Sequence, residues 1–182
     1  MILVVKECKC SSHSKHYQIS STRDFVLYKY NCTSCYRHGI IENGDDVFMS
    51  DINKNYTYCQ FIGDIRNISI KEIEEYLGGS PDIIVASPPC TSFSIASCSH
   101  HWHPPTKDGS RIPKSDNAII GLELLKKTLE LVEYFKPKYW IIENPRGLMR
   151  KMNCLEGINR KTVWYCQYGD DRAKPTDLWG NW

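Results

Sequence analysis

Cys90 is a thiol placed directly behind an apolar run, in Asp82-Ile83-Ile84-Val85-Ala86-Ser87-Pro88-Pro89-Cys90. Glu143 follows a second such run, Tyr139-Trp140-Ile141-Ile142. A thiol attacks as its thiolate, and a nearby carboxylate can hold a substrate or move a proton during the attack. Such a pair suits covalent catalysis, in which one hard step is divided into two. Two more acids, Asp51 and Asp64, close shorter runs, Asp46-Val47-Phe48-Met49-Ser50 and Tyr58-Cys59-Gln60-Phe61-Ile62. Acids at strand ends suit ribose hydroxyls in nucleotide folds. A separate set of thiols, Cys8-x-Cys10 and Cys32-x-x-Cys35, forms two close pairs. Cys-x-x-Cys is a normal zinc half-site and Cys-x-Cys a less usual one. The four thiols are therefore a zinc candidate, with His13, His16 and His38 as spare ligands and free loop thiols as the alternative. Cys98, His100, His101 and His103 form a second, weaker cluster.

The elements that must position these residues can be read from periodicity. Phe25-Val26-Leu27-Tyr28, residues 46–50, 58–62, 82–86 and 139–142, and Thr162-Val163-Trp164-Tyr165-Cys166 read as strands. Residues 69–77 read as a helix, with Ser69 as N-cap, Glu72 in the capping-box position and Gly78-Gly79 as the stop. A longer helix begins at Ser115 or Asp116. It carries Ile119, Ile120, Leu122, Leu125, Leu129, Val132 and Phe135, and Pro137 ends it. Residues 91–115 form a long polar loop, a length uncommon without function. Strands alternating with helices predict an α/β domain with a mainly parallel sheet. In such a sheet ligands bind beyond the carboxyl ends of the strands, where Asp51, Asp64, Cys90 and Glu143 all fall.

Bulk composition fits this plan. With 182 residues, 41% apolar and 24% charged, the chain is sized for one globular domain. No apolar run approaches the length of a membrane span. Met1-Ile2-Leu3-Val4-Val5 is too short for a signal-peptide core, so the expectation is a soluble, cytoplasmic protein. Nine cysteines then point to reduced thiols, metal or catalysis before disulfides. Residues 1–38 hold six Lys/Arg against two Asp/Glu, a basic segment of about +4, while the remainder is about −2. Residues 1–24 are read as an atypical basic Cys/His-containing segment of a single domain spanning 1–182.

Ser87-Pro88-Pro89-Cys90-Thr91-Ser92-Phe93-Ser94 and Glu143-Asn144-Pro145, in that order, resemble the nucleophile and Glu-Asn motifs of the DNA (cytosine-5)-methyltransferase family. Tyr165-Cys166-Gln167-Tyr168-Gly169 and Lys174-Pro175-Thr176-Asp177-Leu178-Trp179 resemble its small phage-type members, and with them a virus-encoded setting. The resemblance covers about residues 45–180. It implies a Rossmann-like, S-adenosylmethionine-dependent sheet flanked by helices, with DNA as partner and S-adenosylmethionine as cofactor. It implies Cys90 adding to C6 of cytosine, Glu143 holding N3 and the exocyclic amine, and methyl transfer to C5. On the cofactor side it implies Asp51, Asp64, Ile65 and Pro88. On the nucleic-acid side the candidates are Ser92, Arg146, Arg172 and Lys174. Arg150, Lys151, Arg160 and Lys161 extend the basic stretch.

The chain departs from the family pattern in three places. A Gly-rich loop of the kind Asp-Leu-Phe-Ser-Gly-x-Gly should fall at Tyr30-Asn31-Cys32-Thr33-Ser34-Cys35, after the strand Val26–Lys29. There Cys32 and Ser34 hold the glycine positions and Tyr28 that of the acid. The usual Arg-x-Arg near the end is replaced by Pro175-Thr176-Asp177. A separate target-recognition domain is not expected from this reading, and specificity is then expected to lie in loops 91–115 and 145–160. Three functions follow: an active cytosine methyltransferase, a degenerate relative that binds nucleic acid without cofactor, and a pyrimidine-modifying enzyme on RNA or nucleotides.

Overall fold

The computed structural model describes residues 64–182 in full, and before them the backbone of five strands. These are β1 (Ile2–Lys6), β2 (Gln18–Thr22), β3 (Phe25–Lys29), β4 (Asp46–Asp51) and β5 (Phe61–Ile62). There follow α1 (Ile70–Leu77), β6 (Ile83–Ala86), α2 (Cys98–His101), α3 (Asp116–Phe135), β7 (Tyr139–Pro145), β8 (Arg160–Trp164) and β9 (Pro175–Gly180). Among the described residues, seven strands form one sheet in the order β5-β4-β1-β6-β7-β9-β8, and β2 and β3 form a separate hairpin sheet.

The sheet is mixed, which corrects the mainly parallel expectation. β4–β5 and β6–β7 pair in parallel, whereas β1 runs antiparallel to both β4 and β6. β9 is antiparallel to β7 and β8. The strand expected to feed the Gly-loop position, Val26–Lys29, lies in β3 and pairs with β2 instead. The slot between β4 and β6 goes to Ile2-Leu3-Val4-Val5. An apolar run rich in β-branched residues suits a central strand. Two successive reversals across β1 restore the original sense. β4, β5, β6 and β7 therefore all run one way, and their carboxyl ends share one edge of the sheet.

The local signals in α1 hold in full. Ser69 Oγ accepts from Glu72 N at 3.1 Å, Glu72 Oε2 accepts from Ser69 N at 2.7 Å, and Gly78 closes the helix at φ 65°. Ser115 caps α3 by accepting from Ala118 N. The buried face of α3 differs from the expected stripe. Ala118, Gly121, Leu125, Thr128, Leu131 and Phe135 face inward, while Ile119 and Ile120 are exposed. The helix is rotated so that its one glycine meets the segment after Cys90. A Cβ at Gly121 would stand 2.6 Å from Ser92 Oγ and 3.1 Å from the Phe93 ring. That closeness turns Gly121→Val into an overpacking test. It is expected to cost about 1–3 kcal/mol, read as a lower urea midpoint, and to speed proteolysis within 91–115; an unchanged midpoint and cleavage rate would count against the contact.

One core runs through the described part. It joins Ile73 and Leu77 of α1, Ile84 and Ala86 of β6, the α3 face, Ile142 of β7 and Trp179 of β9. Leu148, Met149, Met152 and Leu155, from two 3-10 turns after β7, complete it. No described helix is long and apolar enough to cross a membrane.

Candidate active site

The edge where β4, β5, β6 and β7 end carries the acids and the thiol singled out by type. Asp51 closes β4, with Ile62 of β5 as its register partner. Asp64 follows β5, Cys90 follows β6, and Glu143 lies near the end of β7. β6 and β7 are neighbours with Ala86 opposite Ile142. Pro88 and Pro89 cannot donate to a ladder, so the chain leaves the sheet there. Cys90 is exposed and opens a tight turn, its carbonyl accepting from Phe93 N at 3.1 Å.

Asn144 ties the two strand ends together. It is 1% exposed, and its Nδ2 donates to the Pro88 carbonyl at 2.8 Å. The bond spans the gap between the segment holding Cys90 and the strand holding Glu143. Asn144→Ala leaves that buried carbonyl unpaired, at about 1–3 kcal/mol, and frees Cys90 from its register with Glu143. The expected result is a modest fall in urea midpoint with a rate loss of up to about 10²-fold; wild-type rates in a destabilised variant would argue that the brace serves stability alone.

The polar segment 91–115 is built as an anchored loop. Phe93 and Trp102 are 1% and 3% exposed, with ring centroids 5.6 Å apart. Trp102 Nε1 donates to the Ser92 carbonyl at 2.6 Å. Phe93 is also closed in from the β7 side, where a Cβ on Gly147 would lie 2.5 Å from its carbonyl. Between these anchors Ser94, Ile95 and Ala96 are exposed, and beyond them so are His103, Pro104 and Pro105. The cluster at Cys98, His100, His101 and His103 does not converge. His101 Nδ1 is 2.7 Å from Ser115 Oγ, and no group of three metal-type side chains meets among the described residues. Cys8, Cys10, Cys32 and Cys35 lie outside the described residues, as does the loop Tyr30 to Cys35.

Several candidates are placed differently from their expected roles. Ser92 is fully buried with its Oγ against Gly121, so its side chain faces the core and not a nucleic acid. Ile65, 5% exposed, is a core residue, and Pro88 is buried beside Asn144. Arg150 leaves the basic stretch. Its Nε and Nη2 grip both oxygens of Asp177 at 2.6–2.9 Å, and Thr162 Oγ1 donates to the same carboxylate at 2.7 Å. Asp177, fully buried, thereby joins β8, β9 and the turn Leu148–Lys151. The acid that replaces the expected arginine is a structural anchor.

Asp64 is the N-cap of the turn Ile65–Asn67, and its carboxylate is bound by the Arg66 guanidinium. Arg66 also pairs with Glu123 of α3. The Arg66 hydrogen bond holds the Asp64 carboxyl below its usual range. Asp64 is thereby held as an anion at the strand end, with both carboxylate oxygens bonded to Arg66.

Two other candidate cations lie over aromatic rings at the end of β8 and in the turn after it. Arg146 is exposed, donates its backbone N–H to Pro175 O, and lies 5.4 Å from the Trp164 ring. Lys174 Nζ sits 4.9 Å from the Tyr165 ring. Arg172 pairs with Asp170 at 2.8 Å, which holds the Asp170 carboxyl down at about 2. Tyr165 was not singled out from the sequence as a functional residue. Its phenol donates to Glu143 Oε1 at 3.2 Å. Burial, reinforced by the Glu143 charge, pushes the phenol up to about 12.

A family model described as C-5 cytosine-specific DNA methylase matches residues 36–162, well over half of the chain. A probable DNA (cytosine-5)-methyltransferase of Frog virus 3 (isolate Goorha) is 35% identical over 100 residues, covering 54% of this chain and 45% of that protein. The type II methyltransferase M.SacI of Streptomyces achromogenes is 27% identical over 138 residues, covering 73% of this chain and 32% of that protein. The chain thus spans less than half the length of the curated relatives it matches.

Proposed function

Because the chain belongs to the C-5 cytosine-specific DNA methylase family, we propose that it methylates C5 of cytosine in DNA through a covalent bond from Cys90 to C6 of the base. The observation that carries this reading is the placement of Cys90 and Glu143 at adjacent parallel strand ends, braced by Asn144 on Pro88. Cytosine C5 is a weak nucleophile. When the Cys90 thiolate adds to C6, the S–C6 bond forms and the displaced ring electrons make C5 nucleophilic. Glu143 holds N3 and the exocyclic amine and offsets charge developing on the ring. S-adenosylmethionine, when bound, supplies the methyl group to C5 as an electrophile. Removal of the C5 proton to a base then returns an electron pair that breaks the S–C6 bond and releases Cys90 as thiolate.

The target base must leave the duplex stack to reach this edge. The exposed residues between Phe93 and Trp102 are the proposed cover over it. Arg146, Lys174 and the Asp170-paired Arg172 are the proposed phosphate contacts. Asp51 and Asp64 are proposed to take the ribose and adenine of the cofactor, with Ile65 and Pro88 as the buried wall behind them. Residues 1–182 act as one domain in this scheme.

One sequence feature favours a second reading. Cys32 and Ser34 hold the glycine positions that the family resemblance implies, and a side chain at a position of close backbone approach hinders that approach. A relative that binds DNA without cofactor would have this change. Calorimetry with S-adenosylmethionine, alongside DNA binding, separates the two. Cofactor binding followed by methyl incorporation into DNA supports the enzyme. No heat at millimolar cofactor, with DNA binding retained, would replace it by the second reading.

A further inference from the structure

Residues 101–114 fold back on themselves as a short hairpin. Trp102 pairs with Pro113 in an antiparallel bridge. His103 N donates to Ile112 O at 3.0 Å, and Lys114 N to His101 O at 2.7 Å. Thr106 N donates to Ser110 O at 3.0 Å, and Gly109, at φ 84°, completes the tip. The hairpin is rooted on the segments that follow both β6 and β7. Trp102 Nε1 holds it to the Ser92 carbonyl, in the turn opened by Cys90. Asn153 Nδ2, in the turn Asn153–Leu155, donates to Ser110 Oγ at 2.9 Å. The hairpin therefore stands on the strand edge where Cys90 and Glu143 lie.

Its charges are uneven. It carries Lys107, Arg111 and Lys114 against one acid, Asp108. Asp108 is taken up within the tip, where it accepts from Thr106 Oγ1 and Ser110 Oγ. Among the described residues, the side chains of the three cations make no hydrogen bond or ion pair. Lys107 and Lys114 are exposed; Arg111 is partly buried, with its Nε shut off from water and without an acceptor. By contrast, Arg66, Lys127, Arg150 and Arg172 each have a carboxylate partner. Cations without a countercharge bind a phosphate backbone by displacing its condensed counterions. A hairpin already closed by its own bonds loses little entropy when it is gripped. We infer that the hairpin 101–114 is an element that grips duplex DNA beside the target cytosine, with Lys107, Arg111 and Lys114 on its phosphates. The inference rests on the DNA reading above and does not depend on methyl transfer.

Binding of the full chain to a fluorescein-labelled DNA duplex, followed by anisotropy across a salt series without S-adenosylmethionine, tests it. In Lys107→Gln/Lys114→Gln the slope of log affinity against log salt is expected to be shallower by about 2, since each phosphate contact contributes about 0.9. Affinity at low salt is expected to fall by roughly 10–100-fold. Adding Arg111→Met flattens the slope by about one more unit. Lys107→Arg/Lys114→Arg keeps the charges and is expected to keep the slope. Lys138→Gln, at the opposite end of β7 from Glu143, controls for net charge and is expected to bind like wild type. Neither lysine side chain bonds within the hairpin, so the urea midpoint of the lysine double variant is expected to stay unchanged. A wild-type slope in that variant, an equal loss in Lys138→Gln, or a lowered urea midpoint that accounts for the weaker binding would overturn the hairpin's role and leave the DNA reading in place. A wild-type chain that does not bind the duplex at low salt removes the DNA reading, and the hairpin's role with it.

Discussion

Replacing Cys90 by serine is expected to abolish methyl transfer, with a rate loss on the order of 10⁴-fold or more, and to leave the fold intact. Cys90 is exposed, so the substitution removes no packing. Its turn is closed by the backbone bond from Phe93 N, which serine keeps. A hydroxyl at this position lacks the ionised form and the intrinsic reactivity of a thiol. The decisive measurement is covalent trapping on an oligonucleotide containing 5-fluorocytosine, where fluorine blocks loss of the C5 substituent. Wild-type protein should give a stable adduct, and Cys90→Ser none. Trapping by the serine variant would remove Cys90 from the mechanism. Glu143→Gln serves as the contrast. It keeps the side-chain shape but cannot carry the charge, and its expected loss is about 10²–10⁴-fold.

Arg150→Met is expected to be the most destabilising single change outside the apolar core, at about 3–5 kcal/mol. Asp177 is fully buried and its two oxygens are satisfied by Arg150 and Thr162. Without the guanidinium, a buried carboxylate keeps one hydroxyl donor and no countercharge. For a chain of this size each kcal/mol moves the melting temperature by about 2–4 °C, so the loss is readable by thermal or urea unfolding. The double variant Arg150→Met/Asp177→Leu should recover most of it, since removing both charges leaves none uncompensated. If the double variant is no more stable than Arg150→Met, the loss comes from packing of the arginine stem, and the ion pair is not its cause.

The residue types that define the chemistry were open to reading in one dimension. Cys90 and Glu143 each follow an apolar run, and strands have a simple signature when both faces are buried. The capping box at Ser69 and Glu72 was equally open, because it depends on residues three apart. Local signals of this kind need no knowledge of what packs against them. The same logic placed Asp51, Asp64, Cys90 and Glu143 at strand ends, and the four strand ends do share one edge.

What the sequence could not decide is everything that depends on partners far along the chain. Periodicity marked Ile119 and Ile120 as apolar positions of α3. Only the meeting of Gly121 with Ser92 and Phe93 set the rotation that leaves them outside. Arg150 read as one of several loop cations until β9 brought the buried Asp177 against it. Ser92, two residues from Cys90, is turned inward against Gly121. The sense of the sheet was also beyond local reading, since an apolar run such as Ile2-Leu3-Val4-Val5 carries no record of its direction. A thiol and an acid, each at a strand end, were thus determined by the sequence itself. Their assembly into one braced site, with Tyr165 on Glu143 and Asn144 on Pro88, was decided by contacts 22 and 56 residues apart, because hydrogen bonds between distant segments exist only once the sheet has set the register of its strands.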